Sequence, residues 1–162
     1  MSVSVTWKIE RRIIYIDFGG SVSIEEIEQA SQTVTQYIRA GQAPVHVIAD
    51  MLGVDHYPRE FGRLAGAIPH LAETNLGKTI LIGTNDRLLQ LMVSVIRHAV
   101  QIDLRMFDSL EKTLAFLRET DPIYQVKNLH DPSARPGTRR LRPGYVWTDR
   151  RALQFDEPAD DL

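Results

Sequence analysis

Pro44-Val45-His46-Val47-Ile48-Ala49-Asp50-Met51-Leu52-Gly53-Val54 is the stretch on which the fold turns. Its first half is short, branched and apolar on nearly every side chain, and it runs into Asp50. A strand with one wet face alternates polar and apolar residues, so a run without that alternation needs cover on both faces of its sheet. His46, alone among these apolar residues, reads as a buried imidazole satisfied by one neighbour. A second run of this kind, Thr79-Ile80-Leu81-Ile82, closes at Gly83-Thr84-Asn85-Asp86.

Working outward, Ser23 followed by Glu26 is a capping-box pattern, in which each side chain satisfies an orphan backbone donor of the first helical turn. Ile24, Ile27, Val34 and Ile38 mark one face at helical spacing, with Ala30 and Ser31 between them, and Gly41 supplies the stop. Before this helix, Val3, Val5 and Trp7 alternate with polar residues, Glu10-Arg11-Arg12 breaks the pattern, and Ile13-Ile14-Tyr15-Ile16 starts a second strand. The pair reads as a hairpin whose second strand ends at Gly19-Gly20. Downstream of the central stretch, Pro58 suits the first turn of a helix with Phe61, Leu64, Ala65 and Ile68 as its apolar positions. Gly62 and Gly66 weaken that helix and Pro69 ends it. Thr84 or Asn85 is expected to cap the next helix, with Asp86 complementing its dipole. Its apolar stripe is read as Leu88, Leu91, Met92, Val95, Ile96 and Ala99. Ile102 to Phe107 is an edge strand, because Asp103 and Arg105 break its apolarity. Asp108 with Glu111 repeats the capping-box spacing before a last helix carrying Leu110, Leu114 and Leu117, which ends near Asp121-Pro122. The order is β-β-α-β-α-β-α-β-α, an α/β domain with a mostly parallel sheet and its first strand antiparallel.

Composition narrows the function classes. The chain has 162 residues, 43% of them hydrophobic, enough for one domain with a sizeable core. With no cysteine, disulfides, thiol catalysis and cysteine-held metals are excluded, and a reducing, cytoplasmic setting is expected. Lys8, Arg11 and Arg12 interrupt any early apolar run, and no later run approaches the roughly 20 residues that cross a bilayer. The formal net charge of -2 supplies no global field for nucleic acid or anionic membranes. From 121 to 162 the character changes to an extended arm rich in proline and arginine, distinct from the domain at 1–120. Pro122, Pro132, Pro136, Pro143 and Pro158 fall there, as do Arg135, Arg139, Arg140, Arg142, Arg150 and Arg151. Two islands within it, Tyr145-Val146-Trp147 and Ala152-Leu153-Gln154-Phe155, have aromatic groups to bury. The arm is therefore expected to dock on its own domain or on a second copy, with Tyr145, Trp147 and Phe155 as self-association residues; the alternative is a solvated tail.

The order of elements, together with Pro44 to Val54, resembles the STAS fold family, the anti-sigma-factor-antagonist-like (SpoIIAA-like) domains, and is most similar to an uncharacterised bacterial branch. In that family a buried strand runs into an Asp followed, after two residues, by Gly and Val, as Asp50, Gly53 and Val54 do here. The resemblance implies a protein-partner surface on the turn after this strand and at the start of the following helix. Typical antagonists carry there a Ser or Thr, preceded by Asp, whose phosphorylation switches binding to a kinase-like anti-sigma factor. Pro58, Arg59 and Glu60 stand in the corresponding segment and offer no hydroxyl. The resemblance thus implies a regulatory module without that phosphoswitch. Other relatives serve as sensor-complex scaffolds or transporter appendages, and folds of similar shape bind lipids.

In open α/β sheets functional groups gather beyond the carboxyl ends of the parallel strands. That edge is expected to carry Asp50, Asp55, His56, Tyr57 and Arg59 after one strand, and Thr84, Asn85, Asp86 and Arg87 after the next. These are the candidate partner-binding residues. His56 with Asp50 or Asp55 is a possible acid/base pair, although no G-x-S-x-G elbow accompanies it. His46, His56, His70, His98 and His130 contain no i, i+4 pair of the kind that holds zinc on a helix, and no metal is expected. Gly77-Lys78-Thr79 imitates the end of a phosphate-binding loop but precedes a strand, so no cofactor is expected either. A further possibility is a carrier of a small apolar or lipid molecule, if the helix over Pro58 to Ile68 tilts from the sheet and covers an apolar pocket.

Overall fold

The computed structural model describes residues 2–121 and the backbone of residues 140–142, 145–147 and 153–155. The chain divides into two units, Met1–Thr113 and Leu114–Leu162. In the first, β1 (Ser2–Ile9) pairs antiparallel with β2 (Ile13–Ser21), and β2, β3 (Val45–His56), β4 (Leu76–Ile82) and β5 (Leu104–Phe107) follow in parallel, in the order β1-β2-β3-β4-β5. The α/β alternation and the antiparallel first strand are those read from the sequence. The crossovers carry α1 (Ile24–Ala40), a short α2 (Phe61–Leu64) and α3 (Arg87–Ala99). Right-handed crossovers between strands in sequential order put successive helices on one face. The core accordingly joins Ile14, Ile16 and Val47 of the sheet to Val34, Leu64 and Leu89 of the three helices. The opposite face of the central strands is buried too, with Ile48, Ile80 and Ile82 fully enclosed. That explains the lack of polar alternation in Val45 to Ala49.

Local chemistry accounts for most boundaries. Ser23 Oγ accepts from Glu26 N–H at 3.2 Å while Glu26 Oε2 accepts from Ser23 N–H at 2.9 Å, the capping box read from the sequence. Trp7 of β1 stacks on Tyr37 of α1 with ring centroids 5.0 Å apart. The other two caps fall elsewhere than expected. Asp86, and not Thr84 or Asn85, caps α3, its side chain accepting from Leu88 N–H at 2.6 Å, while Asn85 takes the side-chain amide of Gln90. Before α4 (Leu110–Thr120), Ser109 Oγ accepts from Lys112 N–H at 3.2 Å, and Asp108 is engaged by the Lys112 ammonium at 2.7 Å. A carboxylate one position too early reaches the side chain one turn on more readily than the backbone donor.

Four further expectations need correction. The second strand does not end at Gly19-Gly20 but runs through them to Ser21, because β3 continues alongside. Register shifts between Asp17 and Gly19 and between Gly20 and Ser21 accommodate two extra residues in β3, and Gly20, at φ 72°, takes a conformation that glycine adopts cheaply. For the same reason β3 does not stop at Asp50. The helix over Pro58 to Ile68 is a single turn followed by 3-10 turns at Ala65–Ala67 and Pro69–Ala72. Gly62 and Gly66 have open space around them, so they loosen the helix without admitting a close neighbour. Finally, α3 buries Leu89, Met92, Val93 and Ile96, leaving Leu91 49% exposed and Ala99 in solvent. Leu89 packs directly over Gly83, where a Cβ would have no room, and this fixes the rotation of the helix.

The second unit contains the rest of α4 and a three-stranded antiparallel sheet of β6 (Arg140–Arg142), β7 (Tyr145–Trp147) and β8 (Leu153–Phe155). Tyr145 pairs with Phe155 and Trp147 with Leu153 in backbone register. Both islands picked out in the arm are therefore strands; the side chains of Tyr145, Trp147 and Phe155 lie outside the described residues.

Candidate interaction surface and interior cavity

Because β3 and β4 are parallel neighbours, the segments leaving their carboxyl ends emerge on one edge of the sheet. Asp55 and His56, the last two residues of β3, are exposed, as are Arg59 beyond it and Thr84, Asn85, Asp86 and Arg87 after β4. Tyr57 is half-buried, and burial, with the charge of Asp86 second, raises its phenol above the ordinary value. Arg63, beyond the first segment, reaches Glu25 on α1 at 3.1 Å, and Glu73 receives Arg39 at 2.8 Å. These exposed pairs orient the 61–73 connection more than they stabilise it.

Asp50 pairs with Ile82, the last residue of β4, and so stands level with the point where the second segment leaves the sheet. Its Oδ2 accepts from the Tyr15 hydroxyl on the neighbouring strand and its Oδ1 from Leu52 N–H at 2.9 Å. Burial, the bond to Asp50 and the charges of Asp50 and Asp17 all push the Tyr15 phenol far up, so it remains a donor throughout the physiological range. His56 stands six residues further along β3, roughly 20 Å at the usual rise of a strand. The imidazole and this carboxylate therefore form no acid/base pair.

A second assembly, which the sequence did not announce, lies between the sheet and the helices. An apolar cavity of about 80 Å³ is floored by Val47 and Leu81, walled by Ala30 and Met92, and roofed by Leu64 and Ile68 of the 61–72 connection. Three polar side chains reach its lining: Ser31, His70 and Thr79. Ser31 Oγ lies 2.6 Å from His70 Nδ1 and accepts from His70 N–H at 3.3 Å, tying the second 3-10 turn to α1. Burial lowers the His70 imidazole to about 4, so it is neutral at physiological pH. Thr79 is 7% exposed, and its Oγ1 is buried without a hydrogen-bond partner. His46, by contrast, is the satisfied imidazole that was expected, with Nδ1 accepting from Lys78 N–H at 2.8 Å. Ser31 was visible only as a small residue on the buried face of α1. His70 followed a helix-ending proline, and nothing in the spacing joined two residues so far apart in the chain.

Among the described residues no group of three or more His, Asp or Glu side chains could hold a metal ion, and no helix is long and apolar enough to cross a membrane. Gly77-Lys78-Thr79 lies within β4, where no helix start exists to receive a phosphate.

This combination of a sequentially ordered, mostly parallel sheet, an antiparallel first strand and helices on the crossovers defines a SpoIIAA-like fold of the STAS type. Among solved structures, the chain resembles the anti-sigma factor antagonist SpoIIAA in its unphosphorylated form, with a TM-score of 0.50 and 16% identity over 74% of this chain and 99% of the other. It also resembles an uncharacterized protein of the DUF3478 family with a SpoIIAA-like fold from Shewanella loihica PV-4, with a TM-score of 0.52 and 12% identity over 72% of this chain and 92% of the other. No protein-family model and no curated protein matches the sequence.

Proposed function

We propose that this chain is a non-enzymatic regulatory or assembly module that binds a protein partner through the edge formed by residues 55–59 and 84–87. The parallel pairing of β3 with β4 supports the reading, because the chain runs on from the paired residues Asp50 and Ile82 in the same direction into segments with exposed acids, Arg59 and Arg87. Mixed charge of this kind favours selective docking over non-specific adhesion. The segment at Pro58-Arg59-Glu60 holds no hydroxyl, so control by phosphorylation there is not part of the proposal. A second copy is the other partner we propose, met through Tyr145, Trp147 and Phe155.

Native mass spectrometry of the full chain purified from its own host tests the reading. A co-purifying protein is expected, and Arg59→Glu with Arg87→Glu should reduce its recovery at least about tenfold, the loss typical of central charged contacts. Glu28→Lys, on the exposed side of α1, should leave recovery unchanged. Equal recovery with all forms would overturn the assignment of this edge. The second reading, a small apolar-ligand carrier, is favoured by the interior cavity, and a retained small molecule in the same spectra would support it.

A further inference from the structure

The exposed backbone donors and acceptors of an edge strand are a template for pairing with another chain, and natural sheets blunt them with short strands and charged residues. The two edges of the five-stranded sheet differ in this respect. At one, β5 is only Leu104–Phe107 and carries Arg105, which bonds Asp103 just before the strand. At the other, β1 runs from Ser2 to Ile9 without a proline, has Lys8 as its one charged residue and keeps an unbroken register on β2 from Ser2 to Trp7. Among the described strands it has β2 alone as a partner. Val3, Val5 and Trp7 form a half-buried row at the rim of the core, on the side where Trp7 stacks on α1, and Ser2, Ser4, Thr6 and Lys8 form an exposed row on the other side.

We propose that β1 pairs antiparallel with β1 of a second copy of this chain about a two-fold axis at Val5, so that one sheet continues into the other. The inference rests on the second-copy reading above and deepens it by giving the first unit its own contact. Register selects this pairing. Side chains opposite each other share a face, and a one-residue slip would set the apolar row of one copy against the exposed row of the other. An axis at Val5 avoids that and lays the regular stretch Val3 to Trp7 against itself. Val5 then meets Val5, Val3 meets Trp7, Ser4 meets Thr6 and Lys8 meets Ser2. Aromatic with β-branched and hydroxyl with hydroxyl are pairs that stabilise neighbouring strands, and no like charges oppose. An axis at Ser4 would leave Trp7 without a counterpart in β1, and one at Thr6 would draw the irregularity after Trp7 into the ladder. The half-buried apolar row is completed by its own counterpart, which is why a second copy, and not an unrelated strand, fits this edge.

The chain contains no cysteine, so a single introduced thiol reports the register. Opposed residues of antiparallel strands have Cα atoms about 4.5 to 5.5 Å apart, within the span of a disulfide. Under mild oxidation of the full chain Val5→Cys should give a linked dimer, while Ser2→Cys, whose two copies would lie roughly 20 Å apart, should stay unlinked. Sedimentation supplies the second measurement, with substitutions at exposed positions that leave the core intact. Ser4→Lys with Thr6→Lys places like charges opposite each other twice across the axis and should raise the dissociation constant about fivefold or more; Ser4→Lys with Thr6→Glu places opposite charges there and should restore it. Linking at Val5 but not at Ser2, with the opposite charges restoring the dimer, would establish the pairing. A wild-type dimer in which Val5→Cys and Ser2→Cys link alike, or in which both charge variants sediment unchanged, would overturn it and leave the arm as the contact. A monomeric wild type would overturn both.

Discussion

His70 shows how one residue couples the interior to solution conditions. Held neutral against Ser31, its imidazole has a folded-state pKa of about 4, below its ordinary 6.5. The unfolded chain binds this proton more readily, so the contribution of neutral His70 is complete above pH 6.5 and drains away as pH falls toward 4. Urea unfolding at pH 7 and pH 4.5 should differ by roughly 2 to 3 kcal/mol more in the wild type than in His70→Gln. Equal differences would show that the ring is solvated in the native state. Nothing about this was legible in the sequence, where His70 is one of five histidines. His46 was legible, because an apolar strand leaves a histidine no role except that of a satisfied core group. Asp50 was legible as the polar residue after the apolar run, and its pairing with Ile82 sets it level with the end of β4, but its bond to Tyr15 on the neighbouring strand was not legible. The pairing of Gly19 with Gly53 carries β3 past it, and that is a fact about the neighbouring strand.

Among the elements, α2 and the 3-10 turns after it are the weakest local design in the first unit. One α-helical turn and one 3-10 turn replace the expected helix, a second 3-10 turn follows from Pro69, and none has a side-chain N-cap bond. Gly62 faces open space with a backbone conformation that any residue tolerates. Gly62→Ala should therefore stabilise the protein by about 0.4 to 1 kcal/mol, mainly by restricting the unfolded chain, and raise the midpoint of thermal unfolding by a few degrees. A lower midpoint would mean that this segment needs a mobile backbone. The propensities of glycine and proline made the weakness legible in advance. The rotation of α3 was not, because Leu88, Leu89, Leu91, Met92, Val93, Val95 and Ile96 present apolar residues over more than one face, and periodicity cannot choose the buried row when two rows qualify. The bare backbone of Gly83 beneath Leu89 chooses it.

At the level of the whole molecule, the chain joins a STAS-type first unit to a second unit whose strands β7 and β8 hold the aromatic islands of the arm. If Tyr145, Trp147 and Phe155 mediate self-association, as proposed, sedimentation of the full chain should show a dimer, and Trp147→Ala should raise its dissociation constant about thirtyfold or more, the usual cost of removing a central aromatic anchor. Identical sedimentation of the two forms would remove these residues from the interface.

By itself the sequence determined the order of elements, the covered sheet, the antiparallel first strand, the capping box at Ser23 and the two islands of the arm. Each of these rests on local signals: hydrophobic period, caps and chain-breaking residues. Tertiary structure alone decided where β2 and β3 end, which row of α3 is buried, that Asp50 bonds Tyr15, and that Ser31, His70 and Thr79 line one cavity. Those outcomes depend on contacts between residues far apart in the chain. Strand register and helix rotation bring such residues together, and no spacing in the sequence records either.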